Sequence, residues 1–277
     1  MIKNIRDWYD KQPHLPQGYL HDRLIIGHLI SRAFSVERAK EKIDNCLSAK
    51  HKMPELVCDR DPLSPELSKH LRQGYWVVLP KKTPDNYRVS IFRMHGKDIA
   101  TVVDMIKIAF MIFEYRFWND VYLGDVWIID FTNLNISLAL QMTPVLISKV
   151  MFYMTGCFGG KVRGIHLVNL PPFAVSALTL FKKAMKTKLV DRIHIHTKFE
   201  DTLKIFPKQI IPKDFGGDET SMQELTDEMV NSFQAKEWRQ FFIQQDLIKT
   251  DESKRIMKTE ADEIFGINGS FRKLDLD

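Results

Sequence analysis

The chain has 277 residues, 44% hydrophobic and 27% charged, with a formal net charge of +5 and a pI near 8.9. This balance excludes wholesale disorder, and a mean hydropathy of -0.22 argues against a chain built of membrane-spanning helices. Three cysteines, Cys46, Cys58 and Cys157, are odd in number and lack paired spacing, which argues against a disulfide framework or zinc cluster and points to a reducing compartment.

The opening Met1-Ile-Lys-Asn-Ile-Arg-Asp-Trp8 has charges where a signal peptide needs an apolar run. A cytoplasmic location is therefore the expectation. Residues 22–50 predict two short helices. Leu24, Ile25, Leu29 and Ala33 share one side of the first; Ser35 opens the second, with Val36, Ala39, Ile43, Cys46 and Leu47 at helical spacing. Residues 53–84 hold Pro54, Pro62, Pro65, Pro80 and Pro84, which predict irregular chain with one helical turn at 65–71 and a boundary near Pro80.

Val89 and Ile91 alternate with polar neighbours over 88–93, a strand pattern, and Asp98 is the expected cap of a long helix through Ile106, Phe110 and Phe113. Residues 126–131, 163–169 and 192–196 predict three more strands. Residues 137–157, with a start or kink at Thr143-Pro144, and 172–185 predict helices, and 199–206 a short one. This alternation predicts an α/β fold with a mostly parallel sheet flanked by helices. Three parts are expected: a helical module at 1–79, the sheet domain at 80–218, and a charged, helix-rich tail at 219–277.

Catalytic signatures are missing. Gly156-Cys-Phe-Gly-Gly-Lys161 is one residue short of a phosphate loop and continues into Val162, where a metal-binding Ser or Thr is needed. There is no serine elbow and no dinucleotide fingerprint. His194 and His196 share a strand face and His166 belongs to the preceding strand; this suits a half-exposed polar face or a metal site, with no acidic second shell in sight. A Cys/His finger, basic heptad or aromatic RNA-binding strand is also lacking, so nucleic acid is not an expected partner.

Two features stand out positively. The 172–185 helix is apolar almost all round, with Phe173, Leu178 and Phe181 among its residues, which suits either a core helix or a lid over an apolar ligand. The second is basic: Lys161 and Arg163 lie two apart entering one strand, and Lys188 and Arg192 precede the next. If those strands are neighbours, four cations gather at one sheet edge, as an anion site or simply a solvated face.

Several ordered segments resemble the CRAL-TRIO lipid-binding family, in its tocopherol- and retinaldehyde-binding group, over about residues 20–217. They are Leu24-Ile-Ile-Gly-His-Leu-Ile-Ser-Arg-Ala-Phe-Ser-Val-Glu-Arg-Ala-Lys40, Asp130-Phe, Thr143-Pro144, Lys161-Val-Arg-Gly-Ile-His-Leu-Val-Asn-Leu-Pro171, Lys188-Leu-Val-Asp-Arg-Ile-His-Ile-His196 and Ile211-Pro-Lys-Asp-Phe-Gly-Gly217. The tail resembles an invertebrate-type branch. The resemblance implies a noncatalytic cytoplasmic carrier with a CRAL-TRIO fold, without cofactor or metal, for a tocopherol-, retinoid- or isoprenoid-like lipid. Its cavity lining would include Trp127, Ile129, Ile136, Met142, Val150, Tyr153, Met154 and Phe158, with Leu178 and Phe181 on a lid helix. It further implies that Arg32, Lys161, Arg163, Lys188 and Arg192 bind phosphoinositide headgroups of a membrane surface touched transiently. The alternative role is a phosphoinositide-sensing module with a structural or signalling lipid. Ile30, Gly159-Gly160 and Thr197 depart from the family pattern, and 100–118 aligns loosely.

Overall fold

The computed structural model describes residues 1–93, 101–134, 136–158, 160–185 and 187–256. Five helices come first: α1 (Ile2–Tyr9), α2 (Asp22–Ser31), α3 (Val36–Lys52), α4 (Pro54–Val57) and α5 (Pro65–Leu71). Ala33 and Phe34 both take positive φ, a left-handed turn that reverses the chain between α2 and α3. Ser35 occupies the N-cap of α3, but its side chain accepts no capping hydrogen bond.

Strand β1 (Trp76–Lys82) corrects the expected irregular connection, and the boundary expected near Pro80 falls inside it. The prolines misled because Pro80 sits on an edge strand, within a break in register between Val78 and Lys82, where a missing N–H leaves no ladder bond unmade. β2 (Tyr87–Arg93) pairs antiparallel with β1. α6 (Val102–Asn119) follows, capped by the Thr101 side chain on Asp104 N–H; Asp98 lies outside the described residues. β3 (Gly124–Asp130), α7 (Ile136–Gln141) and α8 (Pro144–Met151) come next, α8 starting at the expected place because Thr143 accepts from Leu146 N–H and Pro144 fits its first turn. A π turn at Phe152–Gly156 leads to β4 (Val162–Val168), α9 (Pro172–Ala184), α10 (Thr187–Val190) and β5 (Ile193–His196).

The five strands lie in sequence order, β1-β2-β3-β4-β5, and every pair after the first is parallel. Crossovers of one hand between successive neighbours put their helices on one side. There, Trp76, Trp127, Ile165 and Leu167 share a core with α6 and the turn after α8. The alternate residues, Val77, Val89, Ile91, Val126, Ile128 and Val168, meet Phe199, Phe206, Ile210, Ile211, Met222 and Leu225 on the other side. Both faces of the sheet are thus buried, the second by chain that follows β5.

That covering chain is held by a tight turn. Gly216 has φ +80°, and a Cβ on Gly217 would lie 1.9 Å from the Ile211 carbonyl oxygen, a backbone atom with no room to move. Gly217→Ala is expected to lower stability by about 2 kcal/mol or more, read from urea unfolding; a loss below about 0.5 kcal/mol would contradict this packing.

The tail adds α11 (Met222–Gln234), opened by a Ser221–Glu224 capping box, and α12 (Lys236–Leu247). It fastens to the N-terminal helices. Arg60 Nε donates to Asp246 (3.1 Å), Arg239 spans both oxygens of Asp61 (2.9 and 2.8 Å), and Arg255 spans both oxygens of Asp44 (2.8 Å each).

Candidate lipid face and basic recess

Period-two alternation on β3 aims Trp127 and Ile129 at the helix-covered side. Trp127, Tyr153, Met154 and Phe158 are buried there, with Ile129, Met142, Val150 and Leu178 half-buried against the same cluster. Phe181 is also half-buried on α9. Ile136 stands apart at 60% exposed, because α7 turns that residue outward. α6 contributes aromatic residues that the loosely aligned 100–118 segment left unassigned: Phe110 stacks on Tyr153 with ring centroids 3.8 Å apart, and Phe113 meets Trp127 edge-on at 6.1 Å. Their spacing along an apolar helix was the available signal.

α9 is not the all-round buried helix that its composition suggests. Ala174 is buried and Leu178, Phe181 and Met185 are half-buried, while Phe173 and Val175 are 43% and 48% exposed. One face covers the core and the other carries apolar side chains into solvent. Leu140 on α7 and Val145 on α8 are exposed as well.

A second feature opens where α2, α3, the π turn and the β4 and β5 entrances meet. A narrow recess of about 20 Å³ is lined by Ser31, Arg32, Lys42, Thr155, Gly160, Lys161, Val162, Leu189 and Arg192. The π turn makes the Thr155 carbonyl available to Arg32 Nη2 at 2.9 Å. Gly160 N–H donates to Asp125 (3.1 Å), Asp125 N–H donates to the Lys161 carbonyl (2.9 Å), and Arg116 pairs with Asp125 (2.6 Å), which fixes the chain at Lys161. Arg192 donates to the Val162 carbonyl at 2.6 Å.

Three of the five expected cations, Arg32, Lys161 and Arg192, therefore share this recess. Lys188 is exposed on α10. Arg163 does not point the same way as Lys161: β4 begins at Val162, so strand alternation does not reach back to Lys161, and the Arg163 guanidinium lies over the Tyr87 ring at 5.0 Å. Lys42 is the lining cation that sequence reasoning passed over. It falls three residues after Ala39 and four before Cys46, on the apolar stripe of α3, and that misplaced charge was the signal.

The histidines stack on the opposite face of the sheet. His166 Nδ1 and His196 Nε2 are 2.9 Å apart and hydrogen-bonded to each other, and among the described residues no group of three or more His, Cys, Asp or Glu side chains is placed to hold a metal ion. Burial, then His194 and His196, lower the His166 pKa to about 4.

A mostly parallel sheet with helices on one side and a covering C-terminal segment on the other defines an α/β domain with a small N-terminal helical module. The sequence profile of the CRAL/TRIO domain matches residues 72–217, and a Pinta-like UBA domain profile matches 1–67. The chain belongs to the CRAL/TRIO family. It is similar to "Alpha-tocopherol transfer protein-like" of Homo sapiens (24% identity over 222 residues, 78% of this chain and 64% of that protein). The mouse counterpart is 23% identical with the same coverage, so the chain spans just under two thirds of these relatives. "Clavesin-2" of Homo sapiens is 23% identical over 224 residues, 78% of this chain and 68% of that one. The "Crystal structure of Sfh5" superposes with a TM-score of 0.45 at 12% identity, covering 83% of this chain and 92% of the other. Among the described residues no helix is long and apolar enough to cross a membrane.

Proposed function

We propose that this chain is a noncatalytic cytoplasmic carrier that holds a small apolar lipid beneath α9 and releases it at membranes bearing phosphoinositide. The observation that carries this reading is the recess where Arg32, Lys161 and Arg192 converge next to the segment that follows α9. Several cationic donors around one cavity suit a multiply charged phosphate headgroup, with Arg supplying paired N–H donors. The exposed Phe173 and Val175 of α9 support a lid that meets lipid when it opens. The resemblance of the relatives named for tocopherol transfer supports an isoprenoid-like cargo. Burying roughly 400 Å² of such a ligand yields on the order of 10 kcal/mol before association costs, enough for stable carriage.

Headgroup binding drives release only if it favours the open state, since a ligand shifts an equilibrium by its difference in affinity for the two states. Transfer of a fluorescent tocopherol to phosphatidylcholine vesicles should speed up about 5-fold or more when they contain phosphatidylinositol bisphosphate. Added salt should shrink the gain by screening. Lys161→Ala/Arg192→Ala should remove the acceleration while leaving loading in solution intact. A double variant that still responds like the wild type would overturn the recess as the release site.

A further inference from the structure

A groove of about 470 Å³ lies where the N-terminal module, the end of α6 and α12 meet. Five rings line it: Tyr19 and His21 from the segment before α2, Trp118 from the last turn of α6, and Trp238 and Phe241 from α12. Successive rings stand nearly perpendicular. Tyr19 meets His21 at 83° with centroids 5.5 Å apart, and His21 meets Trp118 at 75° and 5.8 Å. Trp118 meets Phe241 at 72° and 5.5 Å, and Phe241 meets Trp238 at 63° and 4.8 Å. Perpendicular rings form corners in which one guest touches more than one ring.

The charge of the groove is the reverse of the chain's. The chain carries a net +5, yet no lysine or arginine is among the described residues that line the groove, and the one acidic side chain there is Glu237, exposed in the first turn of α12. Two cations behind the walls are already engaged. Arg23 donates to the carbonyls of Trp118 (3.1 Å), Phe117 and Asp120 (2.7 Å each), and Lys50 Nζ donates to Gln245 Oε1 (3.1 Å). The same contacts hold the walls in place: Arg23 fixes the end of α6 that carries Trp118, and Tyr115 packs on Trp238 with centroids 4.5 Å apart.

Ring faces carry the negative part of the aromatic quadrupole, so several rings beside a carboxylate attract a cation. A primary ammonium holds its water strongly. A quaternary ammonium, with methyl groups around its charge, gives up water readily and packs against rings.

We propose that this groove binds a quaternary ammonium group of the choline type, with Trp118, Trp238 and Phe241 as ring walls and Glu237 as the counter-charge. The groove shares no lining residue with the basic recess, and the inference stands without the phosphoinositide reading. Its walls come from three segments far apart in the chain, so an occupant ties α12 to the N-terminal module and raises the unfolding temperature. The group can come from phosphatidylcholine in a membrane or from a soluble choline compound.

Tryptophan fluorescence and thermal unfolding of the full chain, at constant ionic strength, read the site. Choline should bind with a Kd on the order of 1 mM and raise the unfolding temperature. Its uncharged isostere, with a quaternary carbon in place of the nitrogen, and ethanolamine should each bind at least about 10-fold more weakly. Glu237→Gln should weaken choline binding about 3-fold and Trp118→Leu about 10-fold. Glu237→Lys, at an exposed position, should abolish binding and keeps the test decisive if Trp118→Leu fails to fold. Phosphatidylcholine vesicles separate the sources: vesicle binding that soluble choline displaces assigns the group to a lipid headgroup, and choline binding without vesicle binding assigns it to a soluble ligand. Equal binding of choline and its uncharged isostere would overturn the proposal, because the groove would then be selecting apolar bulk alone. Choline affinity unchanged in Glu237→Lys, or no saturable binding by the wild type below about 50 mM, would overturn it as well.

Discussion

Arg60→Met is expected to cost about 3–5 kcal/mol of stability, measured by urea unfolding near neutral pH. Arg60 is 1% exposed; its Nη1 lies 2.5 Å from Glu114 of α6, and its Nε and backbone N–H both bind Asp246 of α12. Burial opposes the charge, but Glu114 in particular more than restores it, so the Arg60 pKa is raised. Methionine would leave the Glu114 carboxylate buried without this partner, the costly half of a broken pair. Arg60→Met/Glu114→Leu should recover most of the loss. A single variant within about 1 kcal/mol of the wild type would show that the brace between α6 and α12 is not energetically significant.

Leu178→Asp is expected to weaken uptake of a fluorescent tocopherol about 30-fold or more, equivalent to about 2 kcal/mol, while unfolding remains cooperative. The half-buried position of Leu178 on the inner face of α9, opposite exposed Phe173 and Val175, underlies this asymmetry. With the proposed cargo beneath α9, a carboxylate at Leu178 would sit against it, whereas one at Phe173 would sit in water. Phe173→Asp serves as the control and should load normally. If Leu178→Asp fails to fold, α9 is fixed core; if it binds as tightly as the wild type, the cargo does not lie beneath this helix.

What was legible in the sequence was periodicity. Val89 and Ile91, then the 126–131 and 163–169 patterns, exposed three parallel strands, and Thr143-Pro144 marked the start of α8, because alternation and capping are local properties. β1 was hidden, since Pro80 vetoes a central strand but not an edge strand, and edge position is a property of the whole sheet. The candidate recess was legible in residue types more than in directions. Arg32, Lys161 and Arg192 do meet, but the aim of Arg163 depends on β4 starting at Val162, a one-residue matter that a basic pattern cannot settle. Lys42 escaped because charged residues within an amphipathic helix are ordinarily assigned to its wet face.

The coincidence of strand order with chain order also sets a timetable for synthesis. As the ribosome releases the chain, each strand from β2 to β5 can join the edge laid down just before it, with no gap to be filled later. The back of the sheet has no such neighbour in time: Val89, Ile91, Val126 and Ile128 wait for Phe199, Ile211, Met222 and Leu225. At about 5–20 residues per second, the interval between Ile128 and Leu225 leaves that apolar surface bare for roughly 5–20 s. The Asp246 and Arg255 clamps arrive later still, so the nascent protein is most adhesive just before its last quarter emerges.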